Sequence, residues 1–452
     1  MDLMKTPLGD EVMRIVNSKQ GSPNTYVDAV IHTKFGDVPV LRVLNHDIMR
    51  DYTTQYSDEI TLVAVVPAGQ MAYRVTPSRN ELEITVSGAP IAQHGGNEGM
   101  GRKVGAQRFR AVLKVSNDAT LEASSRELLS ETTMDIQNID VVEFQLFSKA
   151  MEQFAMRSCG GIYRKTAVAD LIRSLLLQET SVVEVEDEYK PRGIDMVDPV
   201  DAAIRDHIVI PHGTMVYDAP GYIHKYCGGI YSAGLSYYYQ DDYWYVYPTF
   251  DYKRFEEAAR QLVIIQVPEN KLPSLDYTYM VEGSVVNIVV TGGLSLDDTS
   301  DVNKRSSGNG VRFADASKFF EGGVEVKGNK ALMSRGKQNN EFVSSAQKSG
   351  LNNVMVSPER ISANTMFQAS QLASKEGVRI QLAWQNADPS LIRPGMQAKI
   401  YYYKDGQVRQ LSAIVIGVQV AVGYEGTGLV SGRYHRNVAI NLFAANEANQ
   451  QK

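Results

Sequence analysis

The sequence predicts a mainly β chain with an α+β region in its middle. Three observations predict it. Apolar residues alternate with polar ones in both terminal thirds of the chain. A helical spacing of apolar residues interrupts this near residue 165. The strand-like runs are short and separated by Gly, Pro, Asn and Asp clusters, as in an all-β sandwich or barrel.

The first β segment is legible residue by residue. In Glu59–Val66, Ile60, Leu62, Ala64 and Val66 share one face. Pro67-Ala68-Gly69 is a turn signal, because Pro fixes φ and Gly accepts positive φ. Met71–Val75 is read as the next strand, followed by a polar turn over Thr76–Asn80. Glu81–Val86 sets Leu82, Ile84 and Val86 against Glu81, Glu83 and Thr85, and Phe109–Val115 repeats the pattern. Period two places one face on a core and one in solvent, so an antiparallel sheet closing into a small barrel or sandwich is expected. Ala89–Gly105, with five glycines, reads as a projecting loop.

The character changes near residue 150. Lys165–Gln178 places Val168, Leu171, Ile172, Leu175 and Leu176 at helical spacing, with Thr166 as the expected N-cap. Pro199–His207 reads as a second short helix capped by Asp198. Tyr217–Tyr252 then holds 11 of the 24 tyrosines and one of the two tryptophans. Its two strands are expected over Gly228–Tyr239 and Tyr243–Pro248, joined at Gln240-Asp241-Asp242. Tyr243, Tyr245 and Tyr247 would share one face; Trp244 and Val246 would share the other.

Leu262–Val267 and Ser284–Val290 are strong strands. Gly292–Gly350, with nine glycines, reads as a long, partly irregular insertion or arm. The last hundred residues are β again. Val378, Ile380, Leu382 and Trp384 alternate; Ala398–Tyr403 runs into the hairpin signal Lys404-Asp405-Gly406. Ile414 to Val422 and Val438, Ile440 and Leu442 complete the set.

Composition excludes several classes. At 452 residues the chain exceeds the roughly 250–300 that one core fills, so two to four domains are expected. Its 43% hydrophobic and 22% charged residues are ordinary for a globular chain. No apolar run approaches the ~18 residues of a membrane span. The first twenty residues carry no apolar stretch of a secretory signal. A net charge of −6 argues against a protein built to grip nucleic-acid phosphates. Cys159 and Cys227 form no disulfide framework and no C-x-x-C, so synthesis in a reducing cytosol is expected, with both thiols acting as small apolar side chains.

Candidate chemistry is sparse. Gly99-Met100-Gly101 is a lone G-x-G in a polar loop. His207, His212 and His224 are spaced by five and twelve, which is no ligand pattern, so solvated or hydrogen-bonded histidines are expected. Glu184, Glu186, Asp187 and Glu188 crowd one acidic stretch. Such carboxylates serve acid–base work or bind Ca²⁺ only in a defined geometry; a solvated loop, or the polar face of an edge strand, is the simpler expectation. The tyrosine cluster fits a sugar- or base-stacking platform, a subunit interface, or plain strand core; core plus interface is preferred. No catalytic, cofactor-binding or metal-binding residue is assigned.

Three stretches resemble the tail or baseplate hub proteins of tailed bacteriophages. They are TKFGDVPVLRV with SDEITLVAVVPAGQMAYRVTPSRNELEITV near the N-terminus, the aromatic pair within Gly228–Glu256, and RPGMQAKIYYYKDGQVRQL at Arg393–Leu411. The resemblance implies two tail-tube-like β-barrel modules plus an inserted mixed domain. The expected division is an N-terminal segment at 1–20, a first module at 21–148 and an α+β domain at 149–255. A second module would be made of 256–291 with 354–445, the arm would lie at 292–353 and a tail at 446–452. The resemblance further implies a homotrimer without enzymatic activity or cofactor, a pseudo-sixfold ring at the distal end of the virion tail. It would join the tail tube, or a tube initiator, to the central spike, touch other baseplate proteins and let DNA pass transiently. A tail-borne polysaccharide or cell-wall hydrolase using Glu184, Glu186 and Asp187 is the alternative, as is another virion component such as a neck, terminator or adsorption protein.

Overall fold

A computed structural model of the chain describes residues 7–20, 25–67, 69–90, 106–114, 139–186, 189–268, 276–291, 377–404, 407–425 and 433–445; within 292–376 it describes 295–297, 311–315, 324–327, 330–333, 340–342, 352–356, 367, 370, 373 and 374. The chain is mainly β with an α+β middle region, and no helix among the described residues is long and apolar enough to cross a membrane.

Helix α1 (Pro7–Asn17) precedes seven strands: β1 (Thr25–Thr33), β2 (Gly36–Pro39), β3 (Arg42–Asp51), β4 (Glu59–Pro67), β5 (Glu83–Pro90), β6 (Gln107–Lys114) and β7 (Ile139–Ser148). The middle contains α2 (Lys149–Ala155), β8 (Ser158–Ala167), α3 (Val168–Ser181), β9 (Gly193–Met196), β10 (Ile204–Met215), α4 (Ala219–Tyr226), β11 (Ser236–Gln240) and β12 (Tyr243–Tyr247). Four strands follow: β13 (Gln261–Val267), β14 (Tyr279–Glu282), β15 (Val285–Thr291) and β16 (Ser295–Asp297). Within the glycine-rich insertion lie β17 (Val311–Asp315), β18 (Val324–Lys327), β19 (Lys330–Met333), β20 (Asn340–Phe342) and β21 (Asn352–Val356). The chain closes with β22 (Gly377–Gln385), β23 (Gln397–Lys404), β24 (Gln407–Glu425) and β25 (Arg433–Ala445).

The two terminal β regions meet in one sheet because β24 and β25 are long enough to serve both. They pair antiparallel along most of their length. The first half of β24 pairs with β23 on its outer side; from Gly417 onward it pairs with β3 instead. The strands β24-β3-β4-β7-β6-β5-β1-β25 therefore close on themselves, β1 meeting β25 at Thr25 and Tyr434. The second unit runs β14-β15-β13-β23-β24-β25-β22-β16. Trp384 of β22 reaches its far end, donating its indole N–H to Thr278 Oγ1 at 2.8 Å. A single apolar core fills both units, from Ile31, Leu62 and Phe144 to Ile288, Ile400 and Leu442.

The partner change sits at a bulge between Val415 and Gly417. The amide of Tyr52 bonds the Ile416 carbonyl there, and a Cβ on Gly417 would lie 2.9 Å from the Arg50 carbonyl oxygen. That neighbour is backbone and cannot swing away. Gly417→Ala is therefore expected to lower stability by about 1–3 kcal/mol. The check is the midpoint of urea unfolding; an unshifted midpoint would show that the crossing tolerates a side chain.

Strand β13 lies parallel to both β15 and β23. Such a strand is covered on both faces, which explains its unbroken apolar run. Leu262 and Ile264 enter the main core, while Ile265 and Val267 pack under Leu8, Val12 and Ile15 of α1. Arg14 ties the helix to Glu282 at the sheet edge, with Nη1 2.6 Å from Oε1.

Several expectations are corrected. Met71–Val75 is a helical turn continued by a 3₁₀ turn at Thr76–Ser78, since the Pro67–Gly69 signal opens a connection and only Val75 of the stretch is well buried. The main middle helix starts at Val168, because Thr166 belongs to β8 and pairs with Arg205; no side chain caps it. Residues 204–207 of the expected Pro199–His207 helix open the long strand β10, whose pairing with β8 outweighs the Asp-Pro start signal. The strand expected over Gly228–Tyr239 is confined to its end, at β11. Val183 to Glu186 forms no strand: it is a bend after α3. Helix α1, at helical spacing 8, 12 and 15, lies in what the sequence reading treats as a plain N-terminal segment.

Candidate functional site

The aromatic hairpin β11–β12 lies between two apolar cores. Its turn, Asp241-Asp242, has φ of +52° and +66°, the geometry of a two-residue hairpin turn whose short polar side chains tolerate the left-handed region. Alternation then sends the two faces into different cores. Tyr238, Tyr245 and Tyr247 join the main β core; Tyr239, Trp244 and Val246 join a second core with α2, α3, Ile208, Ile210 and Ile223. The expected split of Tyr245 and Tyr247 from Trp244 and Val246 is thus a split between two cores, while Tyr243, expected on the same face, is exposed beside the turn.

A polar network lies where the hairpin crosses the first β unit. The Arg50 guanidinium donates to Asp58 at 2.9–3.1 Å through both Nε and Nη2. Tyr238 donates its hydroxyl to Asp58 at 2.9 Å. Tyr52, edge-on to Tyr238 at 4.7 Å, donates to Gln240 Oε1 at 3.0 Å, and Gln240 Nε2 donates to the Ile392 carbonyl. Arg50 is 8% exposed, so its charge depends on Asp58. Burial raises the Tyr52 and Tyr238 hydroxyl pKa values, keeping both neutral donors.

The loop between β3 and β4 forms one wall of a cleft of about 270 Å³ beside this network. Tyr52–Glu59 line it from the first unit with Phe147, and Tyr217, Asp218 and Leu235–Tyr237 line it from the middle domain. Tyr56 and Tyr217 stack at 4.8 Å with planes 16° apart. The loop is fixed by Asp51, which accepts from the Thr53 amide and from the Thr53 and Thr54 hydroxyls, and by the Tyr239 amide on the Tyr56 carbonyl.

A second polar feature sits inside the shared ribbon. His46 of β3 lies opposite Val422 of β24, which lies opposite Arg436 of β25, so the three side chains share a face. His46 Nε2 has no hydrogen-bond partner among the described residues. Burial, then the Arg436 and Arg50 charges, push its pKa down to about 4. Burial alone does the same to His224. A histidine kept neutral in the fold but free to charge when unfolded favours unfolding as pH drops below its ordinary ~6.5. Its contribution is full above that pH and shrinks as pH falls toward 4. For His46 the loss is on the order of 2 kcal/mol by pH 5, at about 1.4 kcal/mol per unit. The urea midpoint should fall from pH 7 to 5, and His46→Gln should flatten that fall; an unchanged slope would remove His46 as a cause.

The other sequence candidates are not brought together. Glu186 meets Lys149 at 3.2 Å, and Lys149 also binds Glu83 at 3.0 Å, joining the middle domain to β5. The Glu186 carboxyl is held below the usual range by its own backbone amide and Lys149, the reverse of what a proton donor needs. The Glu184 amide is bound by Gln153, while Asp187 and Glu188 lie outside the described residues. His207 and His212 lie exposed on β10, while His224 is buried and hydrogen-bonded to Ser370 Oγ at 3.4 Å, so the three fall on the solvated or hydrogen-bonded reading and do not converge. Cys159 and Cys227 are free and half-buried, with thiol pKa values raised by burial. The Gly99-Met100-Gly101 motif and the loop 91–105 lie outside the described residues, as do the hairpin residues 405–406 and much of 292–353. Sequence reasoning missed the Arg50–Asp58 pair and His46; a buried charge on an otherwise alternating strand is the signal that marks them.

No protein family model matches the chain, and no curated protein matches it. Solved structures do. A tail protein from Neisseria meningitidis MC58 is similar over 92% of this chain and 96% of its own, with 10% identity and a TM-score of 0.47. A 43 kDa tail protein of prophage MuSo2 from Shewanella oneidensis covers the same shares at 8% identity and 0.47. An E. coli component of the type VI secretion system, described as structurally similar to T4 bacteriophage tail proteins, covers 92% of this chain and 77% of its own, at 9% identity and 0.44.

Proposed function

We propose that the chain is a structural component of a phage-type tail: a hub protein, without enzymatic activity, whose three copies form a ring of pseudo-sixfold symmetry. In this reading the ring sits at the distal end of the tail, joins the tube to a central spike, contacts other baseplate proteins and leaves a channel for DNA. The observation that carries it is the β24–β25 ribbon, which runs through two sheet units and holds them around one core. Two rigidly coupled β units per copy are what a threefold object needs to present six similar elements to a sixfold tube. The sequence resemblance over Gly228–Glu256 and Arg393–Leu411 supports the same reading, since both stretches contribute to the core that the units share: Tyr238 and Tyr247 from the first, Met396, Ala398 and Ile400 from the second. A net charge of −6 is compatible with a passage that does not trap phosphate. Native mass spectrometry of the pure chain alone and mixed with tube and spike proteins tests it. A trimer in either sample is expected; a monomer in both contradicts the reading.

A further inference from the structure

We propose that the outward face of β22-β25-β24-β3-β4-β7 lines the channel and lets duplex DNA slide past without holding it. The inference rests on the hub reading above and adds which surface of the chain meets the DNA.

Register defines the face. One cross-strand row runs Gln385, Asn437, Ala421, Asp47, Thr61 and Gln145 across the six strands. The adjoining row sets Ala383, Ala439, Gln419 and Met49 side by side. These positions alternate with the core residues Leu382, Ile440, Val420, Leu62 and Phe144, so they point away from the core. Strands β24 and β25 belong to both sheet units, so the face passes from one unit to the other without a break. A pseudo-sixfold wall requires this, because both units of each copy must present surface to the same axis.

The side chains suit a passing polyanion. Duplex DNA carries about one charge per 1.7 Å, and a lysine or arginine on a wall captures phosphate by releasing its counterions. The two rows hold amides, alanines, one threonine, one methionine and the single acid Asp47, with no lysine or arginine. Amides are neutral at every pH and hydrogen-bond with water. Gln385, Gln419, Ala421 and Asn437 are exposed.

The neighbouring sheet faces differ. Leu8, Val12 and Ile15 of α1 cover the outer side of β13 and β23. The outward residues of β5 and β6 are charged and tied to α2: Arg108 meets Glu83 at 2.6 Å, Lys149 meets Glu83 at 3.0 Å and Arg110 meets Glu152 at 3.5 Å. Those sides turn toward other parts of the same chain, which leaves the neutral face for the axis.

The test uses a chain in which Cys159→Ser and Cys227→Ser leave Ala421→Cys as the single thiol. It is assembled with tube and spike proteins, then treated with a gold-cluster maleimide; Gln419→Cys serves as a second position. Electron cryomicroscopy should place the gold inside the ring in both. Gold on the outer surface, or a thiol sealed between copies and unreactive, would overturn the face while the ring itself stands. Absence of any ring would overturn the hub reading, and this inference with it. The sliding role is read from Ala421→Lys combined with Asn437→Lys, assembled with tube protein only. These rings should retain roughly tenfold more short duplex DNA than the parent at low salt, shielded from nuclease and released by added salt. Retention equal to the parent's, or retained duplex open to nuclease, would overturn it.

Discussion

Asp58→Ala lowers the stability of the folded chain by about 3–5 kcal/mol, the range for leaving a buried charge without its partner. Arg50 cannot escape to water, because it lies under the hairpin and its Nη1 has no other partner among the described residues. Asp58 also accepts from Tyr238, so the same change leaves a buried hydroxyl unpaired. Removing both charges should cost much less. Arg50→Met with Asp58→Leu replaces the pair by apolar volume, and buried pairs exchanged this way are often neutral. Urea unfolding of the two variants separates the ideas. A large loss in Asp58→Ala recovered mostly in the double variant supports the account. A loss under about 1 kcal/mol in Asp58→Ala would mean that water reaches Arg50.

Trp244→Ala is the second large effect, also about 3–5 kcal/mol. The ring is fully buried, 5.2 Å from Phe154 of α2 and 5.4 Å from Tyr239 across the hairpin. It holds the helical core onto the strand whose other face is in the β core, so its loss should loosen the middle domain first. Hydrogen exchange should rise in α2 and α3 before β24 and β25. Trp244→Phe keeps an aromatic ring and removes an indole N–H without a partner among the described residues, so its cost should stay below about 1.5 kcal/mol. Equal losses in the two variants would contradict packing as the cause.

The core-facing sets of the alternating strands were legible in the sequence, although β4 also buries Val63 and Val65 on the face expected in solvent. Val378 to Trp384, Ile60 to Val66 and the Tyr245–Trp244 alternation all face as their period demands. What failed was local signal set against long-range pairing. Asp198-Pro199 is a good helix start, yet residues 204–207 are strand because β8 lies alongside. Thr166 is a good cap, but it is spent in a ladder. The shared ribbon was not legible, since nothing in residues 414–422 records that the outer partner of β24 changes at Gly417. The same holds for the cleft. Tyr56 and Tyr217 are 161 positions apart, and only the fold stacks them.

Electron cryomicroscopy of the purified chain with tube and spike proteins tests the central claim most directly. The account predicts a threefold ring in which each copy contributes two β units, giving six similar densities around an open channel, with the β24–β25 ribbon running between the two units of one copy. A single unit per copy facing the channel, or an assembly in which the chain stays outside any ring, would contradict it.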